Sequence, residues 1–193
     1  MRFVALICLL GCGPSIPAPT GEVEPYPTVL TAPAELDGDF AVQQDVTMRH
    51  ARGENRFSAV LQKQGNVLTL VVLGPHGGRA FTLTQTGSDV QYEAHVDLEL
   101  PFPPRYILHD IHRAWFPRLG IDDGETVTAQ RDGERVRRVR FERPDKEGAI
   151  VVEYEGGLDS GAPLRTAPPA QATLHNAWFG YTATIRSTGW TAL

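Results

Sequence analysis

Residues 56–96 read RFSAVLQKQGNVLTLVVLGPHGGRAFTLTQTGSDVQYEAHV, and their pattern decides the fold class. Three turn signals divide the stretch: Gln64-Gly65-Asn66, Gly74-Pro75-His76-Gly77-Gly78 and Thr86-Gly87-Ser88. Between them lie runs of strand length, which predicts four consecutive antiparallel strands. Phe57, Ala59 and Leu61 alternate with polar residues, as do Val90, Tyr92, Ala94 and Val96, so these strands have one buried and one wet face. The run VLTLVVL at residues 67–73 is apolar on both faces, and such a strand is expected to need cover on both sides.

Strand signals continue on either side. Phe40, Val42, Val46 and Met48 fall on one face of a first strand at residues 40–48, preceded by a short helical turn near residues 32–36. Further strands are expected at 125–130, 134–142 and 149–155, then a loop over 156–169. Residues 172–187 form one long last strand or a bent pair. One segment reads as helix: PPRYILHDIHRAWF, residues 103–116. Its prolines suit a first turn, and Pro117 follows its end. Ile107, Ile111 and Trp115 repeat at four-residue spacing with Leu108 and Tyr106 beside them, while Arg105, His109, His112 and Arg113 fall largely on a polar side. The expected fold is mainly β (α+β): one curved antiparallel sheet of about eight to ten strands, an incomplete barrel with this helix on its concave side.

The N-terminus carries an address. Arg2 supplies a positive charge, residues 3–10 an apolar run, and Leu9-Leu10-Gly11-Cys12 a lipobox-like ending. A run this short cannot span about 30 Å of hydrocarbon, so it reads as a cleaved leader. The expected organisation is a lipoprotein signal peptide over 1–11, lipidated Cys12 with a proline-rich tether over 12–35, and a domain over 36–193. The tether holds Pro14, Pro17, Pro19, Pro25, Pro27 and Pro33. Cleavage removes Cys8 and acylation occupies Cys12, which excludes disulfides and thiol catalysis from the mature domain. Gly13 in place of Asp after Cys12 fits onward transfer to the outer membrane, so the chain is expected to be lipid-anchored there and to face the periplasm.

The chemistry-bearing residues are sparse. A net charge of −5 argues against generic nucleic-acid binding. His109 and His112 with Asp110 between them could share a metal, but no HExxH or Cys/His pattern supplies further ligands. The Gly74–Gly78 turn lacks the Lys-Ser/Thr ending of a phosphate loop, and no GxSxG is present. No catalytic residue, metal ligand or cofactor is therefore expected. Six arginines at 131, 135, 137, 138, 140 and 143 read either as a contact for anionic head groups or an acidic partner, or as an edge strand guarded by charge.

Two motifs carry a resemblance. LTLVVLGPHGGRAFTLTQTG at residues 68–87 resembles the strand–Pro-x-Gly–strand–Gly signature of an uncharacterised family of short proteobacterial lipoproteins, whose members are often encoded beside aryl-polyene or fatty-acid-like biosynthesis genes. Leu108-His109-Asp110-Ile111 followed by Phe116-Pro117 is similar to that family's helix, with Phe116 where a tryptophan is usual. That family in turn resembles the lipoprotein-localisation carriers LolA and LolB, which are incomplete barrels plugged by helices. The resemblance spans about residues 40–185 and implies a membrane-anchored module that takes a lipid, a polyene-lipid or a lipoprotein acyl chain into an apolar cavity. The alternative is a structural or assembly lipoprotein that docks on an envelope partner. Cavity candidates are Leu68, Leu70, Val72, Phe81, Ile107, Leu108, Ile111 and Trp115, on the expectation that helix and sheet stand apart.

The address has a direct test. Cys12→Ser should release the protein from membranes or block its maturation, read by fractionation and gel mobility; a variant that stays on membranes with unchanged mobility would remove the anchor from consideration.

Overall fold

The computed structural model describes residues 26–74, 76–97, 102–118, 120–122, 124–159 and 167–193. The leader, Cys12 and the tether up to residue 25 lie outside these. A short 3-10 turn, Pro33–Glu35, precedes β1 (Phe40–His50), β2 (Gly53–Gln64), β3 (Val67–Leu73), β4 (Arg79–Thr86) and β5 (Asp89–Ala94). The helix α1 (Arg105–Trp115) follows, then β6 (Gly120–Asp122), β7 (Glu125–Asp132), β8 (Arg135–Glu142), β9 (Ile150–Asp159), β10 (Gln171–Asn176) and β11 (Tyr181–Ala192). All strands join one antiparallel sheet in the order β5-β4-β3-β2-β1-β11-β10-β9-β8-β7-β6. The first and last long strands are thus paired at its centre.

The described strands number eleven, one more than the expected eight to ten, and of the two alternatives at the C-terminus the pair is found. The three-residue β6 carries no sequence signal. The C-terminal stretch is a hairpin, in which Gly180 at φ +71° returns its N–H to Asn176 O at 2.9 Å. The loop expected from residue 156 begins later, because β9 continues to Asp159.

The curvature follows from what the helix touches. His112 and Arg113 are neighbours on α1, yet His112 bonds Gln85 on β4 and Arg113 pairs with Glu125 on β7. In the strand order, β4 and β7 each stand second from opposite edges. A flat sheet would separate them by roughly 38 Å at about 4.8 Å per strand. The sheet therefore curls around the helix, which lies on its concave side.

Register places one residue set on that side across all the long strands. Val42 opposes Leu61, Leu61 opposes Leu70, and Leu70 opposes Leu83. On the other half Leu174 opposes Val152, Val152 opposes Val139, and Phe141 opposes Val127. These residues are buried in one cluster with Tyr106, Leu108, Ile111 and Trp115 of α1. The cover expected on both faces of β3 is present on only one. Leu68, Leu70 and Val72 point inward and are buried, whereas Val67, Thr69, Val71 and Leu73 are half-buried on the convex side. Val71 lies between Val60 and Thr82 of its neighbours there, so β-branched side chains shield one another across the strands.

β8 departs from simple alternation. Val136, Val139 and Phe141 are all buried, although residues 136 and 139 should face opposite ways. A register shift between Val136 and Arg138 absorbs the extra residue, so every apolar side chain turns in and the arginines turn out. On the partner strand Gly156 and Gly157 take φ of +77° and +81°, and a Cβ at Gly157 would come within 2.8 Å of the Arg135 Cβ. The reading of this arginine run as a guarded edge does not hold, since β8 is paired on both sides.

The helix is enclosed on its outer side too. From Tyr26 the chain packs across α1 as a strap over residues 26–36, in which Tyr26, Leu30, Pro33 and Leu36 are buried. The packed domain therefore begins by Tyr26 rather than at residue 36.

The helix–β3 contact is closed. Leu68, Leu108 and Trp115 are 0% exposed and Leu70 is 3% exposed, so no water-sized probe fits between them. Leu70→Trp should therefore overpack the core and cost about 1–3 kcal/mol, read as a lower melting temperature.

Candidate functional site

A set of interior polar groups converges on α1. Asp110 lies at their centre and accepts hydrogen bonds from three directions. Tyr26 of the strap donates to Oδ1 at 2.8 Å, Tyr181 of β11 donates to Oδ2, and Asn176 of β10 donates to Oδ1 at 3.3 Å. Asn176 in turn accepts Phe179 N–H at 3.1 Å, which fixes the hairpin turn. One carboxylate thus ties helix, strap and C-terminal hairpin together. Burial raises its carboxyl to about 6 from an ordinary 3.8, against the opposing hydrogen bonds from Tyr181 and Tyr26 and the Arg113 charge. Burial and this carboxylate hold both phenols well above 10, so they remain donors.

The histidines are inside, contrary to the expected polar helix side. His109 is buried, stacks on the Tyr26 ring at 4.1 Å and 5°, and has Nδ1 3.3 Å from Thr28 Oγ1. Burial first, then the Arg113, Arg105 and His112 charges, lowers it to about 3. His112 donates from Nε2 to Gln85 Oε1 at 2.9 Å, and burial with Arg118 and Arg113 lowers it to about 4. Both rings are therefore neutral at pH 7. Gln85 also donates to Thr31 O at 2.7 Å and so holds the strap to β4. Among the described residues, no three His, Cys, Asp or Glu side chains converge as metal ligands would.

Arg113 is a buried cation on α1. It pairs with buried Glu125, and its guanidinium lies 4.8 Å from the Tyr26 ring centre, 5.2 Å from Phe141 and 5.3 Å from Trp178. Three ring faces and one carboxylate replace the water that burial removed. The outer arginines differ: Arg137 meets Asp132 at 2.8 Å, Arg140 meets Glu142 at 2.7 Å, Arg143 meets Asp145 at 2.9 Å, and Arg135 donates to Gly156 O. The chain pairs these charges with its own carboxylates and a backbone carbonyl.

The eight cavity candidates come together, but as a solid. Leu68, Leu70, Val72, Phe81, Leu108, Ile111 and Trp115 are buried in one cluster, and Ile107 packs half-buried against it. Hollows lie elsewhere: one of about 310 Å³ lies over β1, β2 and the end of β3, lined by Asp45, Thr47, Arg56, Phe57, Ser58 and Leu73, and two more flank the helix. One of about 70 Å³ opens between α1, the strap and β7–β8, lined by Thr28, His109, Arg113, Arg118, Glu125 and Phe141. Another of about 410 Å³ opens between β5 and the start of α1, lined by Ser88, Asp89, Val90, Tyr92, Pro103, Pro104 and Arg105. A helix inside a half-barrel thus fills the floor and leaves the edges, the reverse of the expectation.

The family described as protein of unknown function (DUF3261) matches residues 41–189. The chain belongs to that family. No curated protein matches it. Among solved structures it is similar to a LolA superfamily protein from Nitrosomonas europaea, at 10% identity over 84% of this chain and 90% of that one, with a TM-score of 0.49. It is also similar to an outer membrane lipoprotein-sorting protein domain from Vibrio parahaemolyticus, at 8% identity over 83% and 87% of the two chains, with a TM-score of 0.37. A DUF1329 family protein from Desulfovibrio piger matches at 10% identity over 82% and 87%, with a TM-score of 0.28.

Sequence reasoning passed over Tyr26, Asn176, Tyr181 and the Arg113–Glu125 pair. A tyrosine and Leu30 within the proline-rich stretch were the available signal that this segment packs.

The buried ionisable groups set a pH dependence. The histidines are depressed on folding, so their contribution is full above about 6.5 and is lost as the pH falls toward 4 and 3. Asp110 is raised, so its contribution is present in acid and is lost as the pH rises from about 4 to 6. Two histidines outweigh one carboxyl, and stability should fall from pH 6.5 to 4 by roughly 1.4 kcal/mol per pH unit for each unbalanced proton. Asp110→Asn removes the opposing group, so its melting temperature should fall more steeply with acid than that of the wild type.

Proposed function

We propose that the chain is an envelope lipoprotein, anchored to the outer membrane through Cys12 and facing the periplasm, whose half-barrel binds or helps transfer an acylated ligand without catalysing a reaction. The observation that carries this reading is the rim hollow of about 410 Å³ beside α1. Its volume falls within the range of about 300–1,000 Å³ typical of ligand pockets, whereas the hollow under the strap is too small for an acyl chain. Beside this hollow the inner face carries Phe81 and Leu83, so a chain entering at this rim meets hydrocarbon there. Among the described residues no helix is long and apolar enough to cross a membrane, and in this reading Cys12 alone holds the protein there.

The filled floor favours a second reading, a structural or assembly lipoprotein that docks on an envelope partner. Native mass spectrometry of the untagged protein from membranes separates the two. Acyl binding predicts a population heavier than the polypeptide by the mass of a bound lipid, lost on organic extraction. A bare mass, together with no uptake of added fatty acid, favours docking.

A further inference from the structure

Part of the inner face is left uncovered on β5. Val90 opposes Gln85 and Tyr92 opposes Leu83, so Val90 and Tyr92 point to the same side as the core. Leu83 and Gln85 are fully buried under the helix and strap, yet Tyr92 is 40% exposed and Val90 only half-buried. α1 begins at Arg105 and stands off from this edge strand, which pairs only with β4. The space left between is the 410 Å³ hollow.

Its walls have a definite chemistry. The Tyr92 ring stands 5.7 Å from the buried Phe81 ring, so this wall is continuous with the core. The facing wall is Pro103 and Pro104. Proline has no N–H, so that wall lacks the backbone donors a peptide or a sugar would seek. Charge sits at two places on the rim: the exposed guanidinium of Arg105, and the carboxylate of Asp89 beside the β4–β5 turn.

We propose that this hollow binds the hydrocarbon tail of an anionic single-chain amphiphile, with Arg105 taking its carboxylate or phosphate head group and Asp89 directing that group to the Arg105 end. The assignment rests on the acyl-binding reading and gives it a place, on β5 and the helix start rather than at the helix–β3 contact. A concave hollow whose apolar wall is Val90, Tyr92, Pro103 and Pro104, with Ser88 at its turn end and one cationic lip, suits such a ligand better than a second protein chain. A strand added to the free edge of β5 would leave the hollow empty.

The probe is cis-parinaric acid, whose fluorescence reports transfer from water, titrated into the full-length protein beside its methyl ester. Val90→Trp fills the hollow and should weaken the acid and the ester at least tenfold. Arg105→Glu lies on the exposed rim, leaves the tail site open, and should weaken the acid several-fold but not the ester. Glu93→Gln, on the wet face of β5, should bind as the wild type does; thermal melts of all variants check that they fold. Displacement by oleate alone assigns the site to free fatty acids, and displacement by lysophosphatidylglycerol alone assigns it to membrane phospholipid. Displacement by neither overturns it. Wild-type affinity in both Val90→Trp and Arg105→Glu would overturn this site while leaving acyl binding intact elsewhere. Failure of the wild type to bind either probe, with a bare native mass, would overturn acyl binding itself.

Discussion

One helix of eleven residues must cover the inner face of an eleven-stranded sheet, and most of the architecture answers that mismatch. A sheet that wide, left flat, would expose far more apolar surface than α1 can bury. Curling brings strands near both edges to the same helix, so that adjacent residues of α1 reach β4 and β7. Once curled, the sheet surrounds the helix on every side but one. The strap closes that side, and His109, Asp110, His112 and Arg113 are left with little or no water to face. Each then needs a partner from the protein, because an unpaired buried polar group costs about 1–3 kcal/mol. Asp110 finds two tyrosines and an asparagine, His112 finds Gln85, and Arg113 finds Glu125 and three aromatic rings.

The same mismatch explains where space remains. Side chains of α1 fill the floor of the half-barrel, where Leu, Val and Phe from the central strands converge on Leu108 and Trp115. Toward β5 and toward β7 the sheet continues beyond the reach of those side chains. Polar partners bridge one flank, and Arg113–Glu125 leaves only a small hollow there. Prolines and a partly bare tyrosine flank the other, and the hollow is larger. Any ligand reading of this protein therefore belongs at a rim, where entry displaces no packed core.

Much of the fold was legible in the residues. Alternation in 56–96 gave the meander of β2–β5, and four-residue spacing with flanking prolines gave α1 to within two residues at either end. Gly-containing turns marked the hairpins because positive φ is cheap only there. The side each strand shows to the core followed from period two, except where register shifts override it, as on β8 opposite Gly156-Gly157 and on β11 opposite Gln43-Gln44. The strap was not legible, because a proline-rich stretch with one tyrosine and two leucines has the composition of a linker whether or not it packs.

The candidate site divides along the same line. The sequence alone determined which residues are apolar, which segment is helical, and that His109, Asp110 and His112 sit together on it. Those properties depend on residue type and on neighbours within a turn or a strand. Only the tertiary structure decided that these polar residues point into the interior, that Asp110 meets Tyr26, 84 residues away, and Tyr181, 71 residues away, and that the cavity lies at Val90 and Tyr92 rather than at Leu70. Those outcomes depend on how far a twisted sheet curls before it closes on its helix, and that distance is set by all eleven strands together rather than by any local run of residues.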